Sequence, residues 1–132
     1  MSAPDDVRAA RTRHPAGRPA GQVRFAHPSE RLFAILLDLL GVRWEYEPLE
    51  FPLEWDERGS PVSAFRPDFY VPALGVFIEL TTADQRLVTR KNRKVRRMRQ
   101  LYPEVPIHIV YQRDFTSLLA SHGLLPVTAG AA

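Results

Sequence analysis

The apolar positions between residues 28 and 40 have the spacing of a helix with most of its faces buried. They are Leu32, Phe33, Leu36, Leu37, Leu39 and Leu40. His27 or Ser29 can cap the segment, Pro28 suits a first helical turn, and Gly41 can end the helix. We therefore predict a helix over residues 28–40, with Glu30 as the acid of its first turn.

After this helix the pattern changes to the two-residue period of β-strands. Residues 44–47 alternate aromatic and acidic side chains, and residues 51–55 are apolar at every second position. Residues 56–59 have the composition of a turn. We predict that residues 62–71 return as one strand of a hairpin, which Pro72 ends.

The second half of the chain adds a buried strand, a basic helix and a further strand. Residues 76–80 are apolar apart from one acid, which favours a central strand. Residues 87–102 predict a helix, residues 107–111 a short strand and residues 114–121 a last helix. The resulting order, α-β-β-β-α-β, predicts an α/β fold with a mixed central sheet flanked by helices.

The two ends of the chain differ from its middle in composition. Residues 1–24 are rich in Ala, Pro, Gly and Arg and have no hydrophobic period, so we predict a disordered basic arm. Residues 25–127 are expected to form one folded domain, and residues 128–132 a frayed C-terminus.

Composition excludes several classes of protein. The chain has 132 residues and no cysteine, which excludes disulfides and thiolate metal sites. No apolar run is long enough to span a bilayer, and the N-terminus lacks the apolar core of a signal peptide. We expect no membrane partner and a cytoplasmic location.

Charge is unevenly distributed, although the formal net charge is only +3. Residues 42–57 contain six acids and one Arg, whereas residues 86–99 contain eight bases and no acid. The basic block is typical of a surface that binds nucleic acid. It is equally compatible with a solvated helix face whose charges pair with the acidic segment.

Two carboxylates and two lysines are the strongest candidates for chemistry. Asp68 follows a proline in the predicted return strand, and Glu79 interrupts the central apolar strand, where a carboxylate is costly without a partner. Lys91 and Lys94 are the only lysines among 18 basic residues. Lys91 lies on the apolar stripe of the basic helix, which Val88, Val95, Met98 and Tyr102 define. Two carboxylates with an amine nearby can form a Mg²⁺ site for phosphodiester hydrolysis.

These residues, in this order, resemble the PD-(D/E)XK nuclease superfamily of restriction-endonuclease-like proteins. The segments that carry the resemblance are Glu30-Arg31-Leu32-Phe33-Ala34, residues 40–48, Arg66-Pro67-Asp68-Phe69-Tyr70-Val71-Pro72 and Phe77-Ile78-Glu79. They resemble small phage, transposon-type or resolvase-like members, and they extend over about residues 25–115. The chain departs from the family at Thr81, where the family's third motif has a lysine. Some members supply that lysine from the following helix, and Lys91 is the candidate here.

The resemblance implies roles for individual residues. Asp68, Glu79 and the backbone carbonyl of Leu80 would bind Mg²⁺ or Mn²⁺, and Glu30 and Lys91 would complete the catalytic group. Phosphate contacts are expected from the basic helix, at Arg86, Arg90, Arg93, Lys94 and Arg97.

The function expected from the sequence is that of a metal-dependent endonuclease that hydrolyses phosphodiester bonds, with DNA preferred over RNA as substrate. Cleavage of both duplex strands would favour a homodimer. The alternative is a catalytically silent nucleic-acid-binding or protein-interaction module on the same fold, in which Thr81 marks the loss of activity. A third hypothesis is an accessory domain that serves another enzyme.

Overall fold

The computed structural model describes residues 9–11, 22–81 and 85–115, without the side chains of residues 10, 11 and 85–87. Within these ranges the chain forms a mixed α/β fold. Its elements are β1 (Ala10–Arg11), α1 (Pro28–Leu39), β2 (Glu45–Tyr46), β3 (Leu49–Trp55), β4 (Pro61–Phe65), β5 (Phe69–Val71), β6 (Val76–Thr81), α2 (Gln85–Leu101) and β7 (Ile107–Tyr111). Residues 112–115 are helical and begin the predicted last helix, most of which lies outside the described residues.

A four-stranded mixed sheet of order β2-β5-β6-β7 forms the centre of the fold. β6 pairs with β5 in antiparallel and with β7 in parallel orientation, as expected for the most apolar strand. A second sheet has the order β1-β3-β4. The prediction of a mixed sheet with a central strand at residues 76–80 is therefore confirmed.

The two helices pack on opposite faces of the central sheet. Leu80 of β6 belongs to the apolar cluster around α1, whereas Phe77 belongs to the cluster that contains Val95 and Met98 of α2. Because successive residues of a strand face opposite sides, Glu79 lies on the α2 side, like Phe77. This alternation directs the Glu79 carboxylate toward the basic helix.

The prediction of one continuous strand over residues 62–71 is wrong. The segment is divided into β4, which pairs with β3, and β5, which pairs with β2 and β6. Pro67 lies in the break, where its missing N–H could not join a strand ladder. Asp68 consequently lies just before β5 and not at the end of a strand, as its sequence context had suggested.

The N-terminal segment also differs from its prediction. Ala10–Arg11, within the predicted disordered arm, forms a two-residue strand that pairs with β3. The short pairing satisfies backbone groups at the edge of β3. Residues 1–8 and 12–21 lie outside the described residues, as does the predicted frayed end at 128–132. Neither helix within the described ranges has the length and apolar character needed to cross a bilayer.

Candidate functional site

The β5–β6 hairpin brings the two predicted carboxylates together. Phe69 pairs with Ile78, so the residues just outside that pair, Asp68 and Glu79, are neighbours across the hairpin. The backbone N–H of Asp68 donates to Glu79 Oε1 at 3.0 Å, and the N–H of Leu80 donates to Asp68 Oδ2 at 2.8 Å. Each carboxylate is therefore held by the backbone of the partner strand. Both residues are buried, with 5% of Asp68 and 3% of Glu79 exposed.

Lys91 reaches both carboxylates from α2. Its Nζ lies 3.2 Å from Glu79 Oε2 and 3.9 Å from Asp68 Oδ2, and it donates a hydrogen bond to the Leu80 carbonyl. A lysine on the apolar stripe of α2 is thus directed into the site and not past the edge of the core. The structure brings Asp68, Glu79, Leu80 and Lys91 together as the sequence predicted.

The two carboxylates are costly to ionise in the absence of a metal. Burial, followed by repulsion from Glu79, raises the pKa of Asp68 from 3.8 to about 9, although Lys91 opposes the shift. Burial also raises the pKa of Glu79, and Lys91 again opposes the shift. One ammonium offsets only part of the cost of placing two carboxylates in a buried site. Such a pair would be relieved by a bound cation.

Glu30 lies at the margin of this group, where its charge also raises the Asp68 pKa. It is 6% exposed and its Oε1 accepts hydrogen bonds from the Tyr46 hydroxyl at 2.7 Å and from the Ala26 N–H at 3.2 Å. Burial and the hydrogen bond to Glu30 raise the pKa of Tyr46, so its hydroxyl stays protonated and donates to Glu30. Sequence reasoning predicted Glu30 but missed Tyr46, whose position on an alternating strand indicated only a core aromatic residue.

The oxygen atoms at this site suit a hard divalent cation. Two carboxylates and the Leu80 carbonyl are the donors that Mg²⁺ and Mn²⁺ prefer, and Mg²⁺ commonly uses one or two carboxylates and keeps several waters. The described residues contain no group of three or more His, Asp or Glu side chains that could hold a metal ion. A cation here would therefore depend on Asp68, Glu79, a backbone carbonyl and water.

A pocket of about 350 Å³ lies beside Glu79 and along α2. Its charged lining residues are Glu50, Arg66, Glu79, Arg90, Lys91 and Lys94. Arg90 and Lys94 lie four residues apart on α2 and are therefore neighbours on one helix face. Sequence reasoning predicted the β3–β4 hairpin but assigned no role to Glu50 and Arg66, because the local pattern did not show that its register places them at a pocket beside α2.

The other predicted phosphate-binding residues are distributed around α2. Arg93 is exposed, and Arg97 donates to the backbone carbonyl of Leu53 at 3.2 Å. Arg86 lies in the first turn of α2, and its side chain is outside the described part of the structure. In the described part, none of Arg90, Arg93, Lys94 and Arg97 forms an ion pair with the acids of residues 42–57. The interpretation of this helix as the partner of the acidic segment therefore receives no support.

Comparison with known proteins gave no match: no protein-family model fits the chain, no curated protein is significantly similar in sequence, and no solved structure is significantly similar in fold.

Proposed function

We propose that this protein is a metal-dependent endonuclease that hydrolyses phosphodiester bonds in DNA. The proposal depends mainly on one observation, which is that the Lys91 ammonium lies within 4 Å of two buried carboxylates. An apolar side chain at either carboxylate position would cost the fold less. An arrangement that is costly for folding and borders a pocket is typical of a functional site.

The residues divide the chemistry among them. Asp68, Glu79 and the Leu80 carbonyl would hold Mg²⁺ or Mn²⁺. When bound, the cation polarises the scissile phosphate and lowers the pKa of a bound water. Lys91 would donate a hydrogen bond to the attacking water or to the negative charge that develops on the phosphate. Glu30, fixed by Tyr46, would position water at the margin of the site.

The topology agrees with a restriction-endonuclease-like core but does not by itself identify one. The hairpin that carries the carboxylates precedes the helix that carries the lysine, as the PD-(D/E)XK resemblance implies. The relocated lysine agrees with the same resemblance, because Lys91 supplies the ammonium that Thr81 cannot. The geometry of the site therefore supports the activity more directly than the fold does.

Cleavage of supercoiled plasmid and of branched DNA tests the proposal. Purified protein with Mn²⁺ or Mg²⁺ should cut DNA, and EDTA should stop the reaction. Glu79→Gln should abolish cutting while circular dichroism shows a folded protein. Equal cutting in EDTA, or by the Glu79→Gln protein, would contradict the proposal.

One observation favours the second candidate, a silent nucleic-acid-binding module. Thr81 is 1% exposed, and its hydroxyl has no hydrogen-bond partner among the described residues. A threonine there adds nothing to catalysis at the position where the family has its lysine. DNA binding without cleavage in Mn²⁺, and without stabilisation of the fold by Mn²⁺, would favour this candidate.

A further inference from the structure

The pocket beside the carboxylates contains an ion pair that the proposed hydrolysis does not use. Arg66 Nε lies 3.2 Å from Glu50 Oε1, and both residues line the pocket with Arg90 and Lys94. The pair follows from strand register: Phe51 of β3 pairs with Phe65 of β4, so the residues just outside that pair face each other. Arg66 lines the same pocket as Glu79, so the ion pair lies near the proposed metal-binding carboxylates.

We propose that Arg66, Arg90 and Lys94 form a binding subsite for a DNA phosphate adjacent to the scissile one, and that Glu50 competes with this phosphate for Arg66. The identity of the ligand rests on the proposed function. The subsite itself rests on the composition of the pocket, in which four cationic side chains outnumber two acidic ones.

The cations of the subsite are available to an anion. Among the described residues, Arg90 has no ion-pair partner, and Lys94 forms no ion pair and donates one hydrogen bond, to the Ala64 carbonyl at 3.4 Å. Their like charges, four residues apart on one helix, repel each other in the free protein. A phosphate group would relieve that repulsion and accept charge-assisted hydrogen bonds from both.

The Glu50–Arg66 pair is weak enough to exchange. The side chains are 37% and 50% exposed, and ion pairs with that much contact with water contribute little. A phosphate can replace the carboxylate because it accepts the same hydrogen bonds from a guanidinium. Glu50 would then remain beside the bound phosphate as a like charge, so it should lower affinity both by holding Arg66 and by repelling the ligand.

Binding of a fluorescein-labelled DNA duplex, followed by anisotropy at low salt in EDTA, tests the subsite without cleavage. Glu50→Gln should tighten binding about three- to fivefold, the range expected for an exposed charge interaction. Glu54→Gln is the matched control, because it removes the same charge from an exposed position on the same strand. Its effect should be less than half as large. Thermal melting verifies that both variants fold.

The role of Arg66 is tested by a double-mutant cycle. Arg66→Ala should weaken binding about fivefold. In the Arg66→Ala background, Glu50→Gln should tighten binding less than it does alone, because Arg66 is no longer there to be released. Additive effects would overturn the competition between carboxylate and phosphate.

Other outcomes are equally decisive. Equal tightening by Glu50→Gln and Glu54→Gln, or no binding by the wild-type protein, would overturn the inference. A protein that binds as expected but does not cut DNA in Mn²⁺ retains the subsite and loses the proposed hydrolysis. A protein that cuts DNA but responds equally to both glutamate variants retains the hydrolysis and loses the subsite.

Discussion

The buried carboxyl group of Asp68 lowers the stability of the fold, which is not expected of a residue with a purely structural role. Burial and repulsion from Glu79 hold its pKa far above that of an ordinary aspartate. The Leu80 N–H could still donate to the side-chain oxygen of an asparagine, so the substitution preserves the contact and removes a carboxyl group that must take up a proton when the chain folds at pH 8. Asp68→Asn should therefore stabilise the metal-free protein by at least about 2 kcal/mol at pH 8 while it abolishes cleavage, as at other sites where activity opposes stability. Urea denaturation in EDTA measures the first effect, and plasmid nicking measures the second.

The raised pKa of Asp68 predicts how the stability of the metal-free protein depends on pH. In the unfolded chain the pKa of Asp68 is near its ordinary value of 3.8, whereas burial and repulsion from Glu79 raise it to about 9 in the metal-free fold. Between these values the folded state binds the extra proton, so this residue makes stability fall as pH rises. The melting temperature of the wild-type protein in EDTA should drop relative to that of Asp68→Asn between pH 5 and pH 8. A constant difference would show that Asp68 ionises normally in the fold.

Lys91 is the residue on which the relocated-lysine hypothesis depends. Lys91→Ala should lower cleavage by about 10²–10³-fold, the usual effect of removing one donor to transition-state charge. It should also destabilise the fold by about 3 kcal/mol, because the buried carboxylates lose their counter-charge. Lys91→Arg keeps the charge, so it should stay folded, but its planar fork cannot place a single donor as an ammonium does.

Lys94→Ala is the matched control for Lys91. It removes the same group one turn along α2, where Nζ contacts a backbone carbonyl and not the carboxylates. Cleavage at saturating DNA should change less than threefold, within the range of an indirect effect. An active Lys91→Arg protein, or an essential Lys94 with a dispensable Lys91, would refute the assignment.

These residues show which parts of a site can be inferred from a sequence. Asp68, Glu79 and Lys91 each break a local rule, since a charge interrupts an apolar strand or stripe, and such breaks are visible without a structure. Tyr46, Glu50 and Arg66 break no rule. An aromatic residue on an alternating strand and charges at strand ends are ordinary features, and their roles depend on long-range pairing.

At the scale of elements, periodicity predicted both helices to within two residues but could not locate the break between β4 and β5. Apolar alternation continues through residues 62–71, and only Pro67 signals that the two halves join different sheets. The break has a functional consequence, because it leaves Asp68 free of β4 and opposite Glu79. If one strand had continued through Pro67, the sheet would have lacked a backbone hydrogen bond next to the site, because proline has no N–H to donate.

The contact between α1 and β2 gives an element-scale prediction. The Tyr46 hydroxyl fixes the Glu30 carboxylate, whose charge acts on Asp68, so Tyr46→Phe should lower cleavage about tenfold and stability by about 1–2 kcal/mol. Tyr102→Phe is the matched control, since its hydroxyl donates to the Pro52 carbonyl at 3.0 Å and docks α2 on β3. It should lose similar stability but keep full cleavage. Equal cleavage by the two variants would show that Glu30 has a structural role and no role in cleavage.

At the scale of the whole molecule, the separation of charge matters more than the net charge of +3. Among the described residues, Arg90, Arg93, Lys94 and Arg97 form no ion pair with the acids of residues 42–57, so the charges on this face of α2 remain available to an anionic partner. A phosphate backbone that binds this face releases counterions, and affinity must then fall steeply with salt. Because this salt dependence arises from the charged surface and not from catalysis, it should persist in variants that cannot cleave DNA.

Two single substitutions, one in α2 and one outside it, can locate that surface. Arg93→Ala removes an exposed charge from α2, and Arg43→Ala removes an exposed charge from the loop between α1 and β2. Each lowers the net charge by one, but only the first should reduce the slope of log K against log salt concentration, by about one. Anisotropy titrations of a labelled duplex in EDTA measure both slopes. Equal slopes for the two variants would show that DNA responds to the overall charge of the protein, and α2 would then no longer qualify as the binding face.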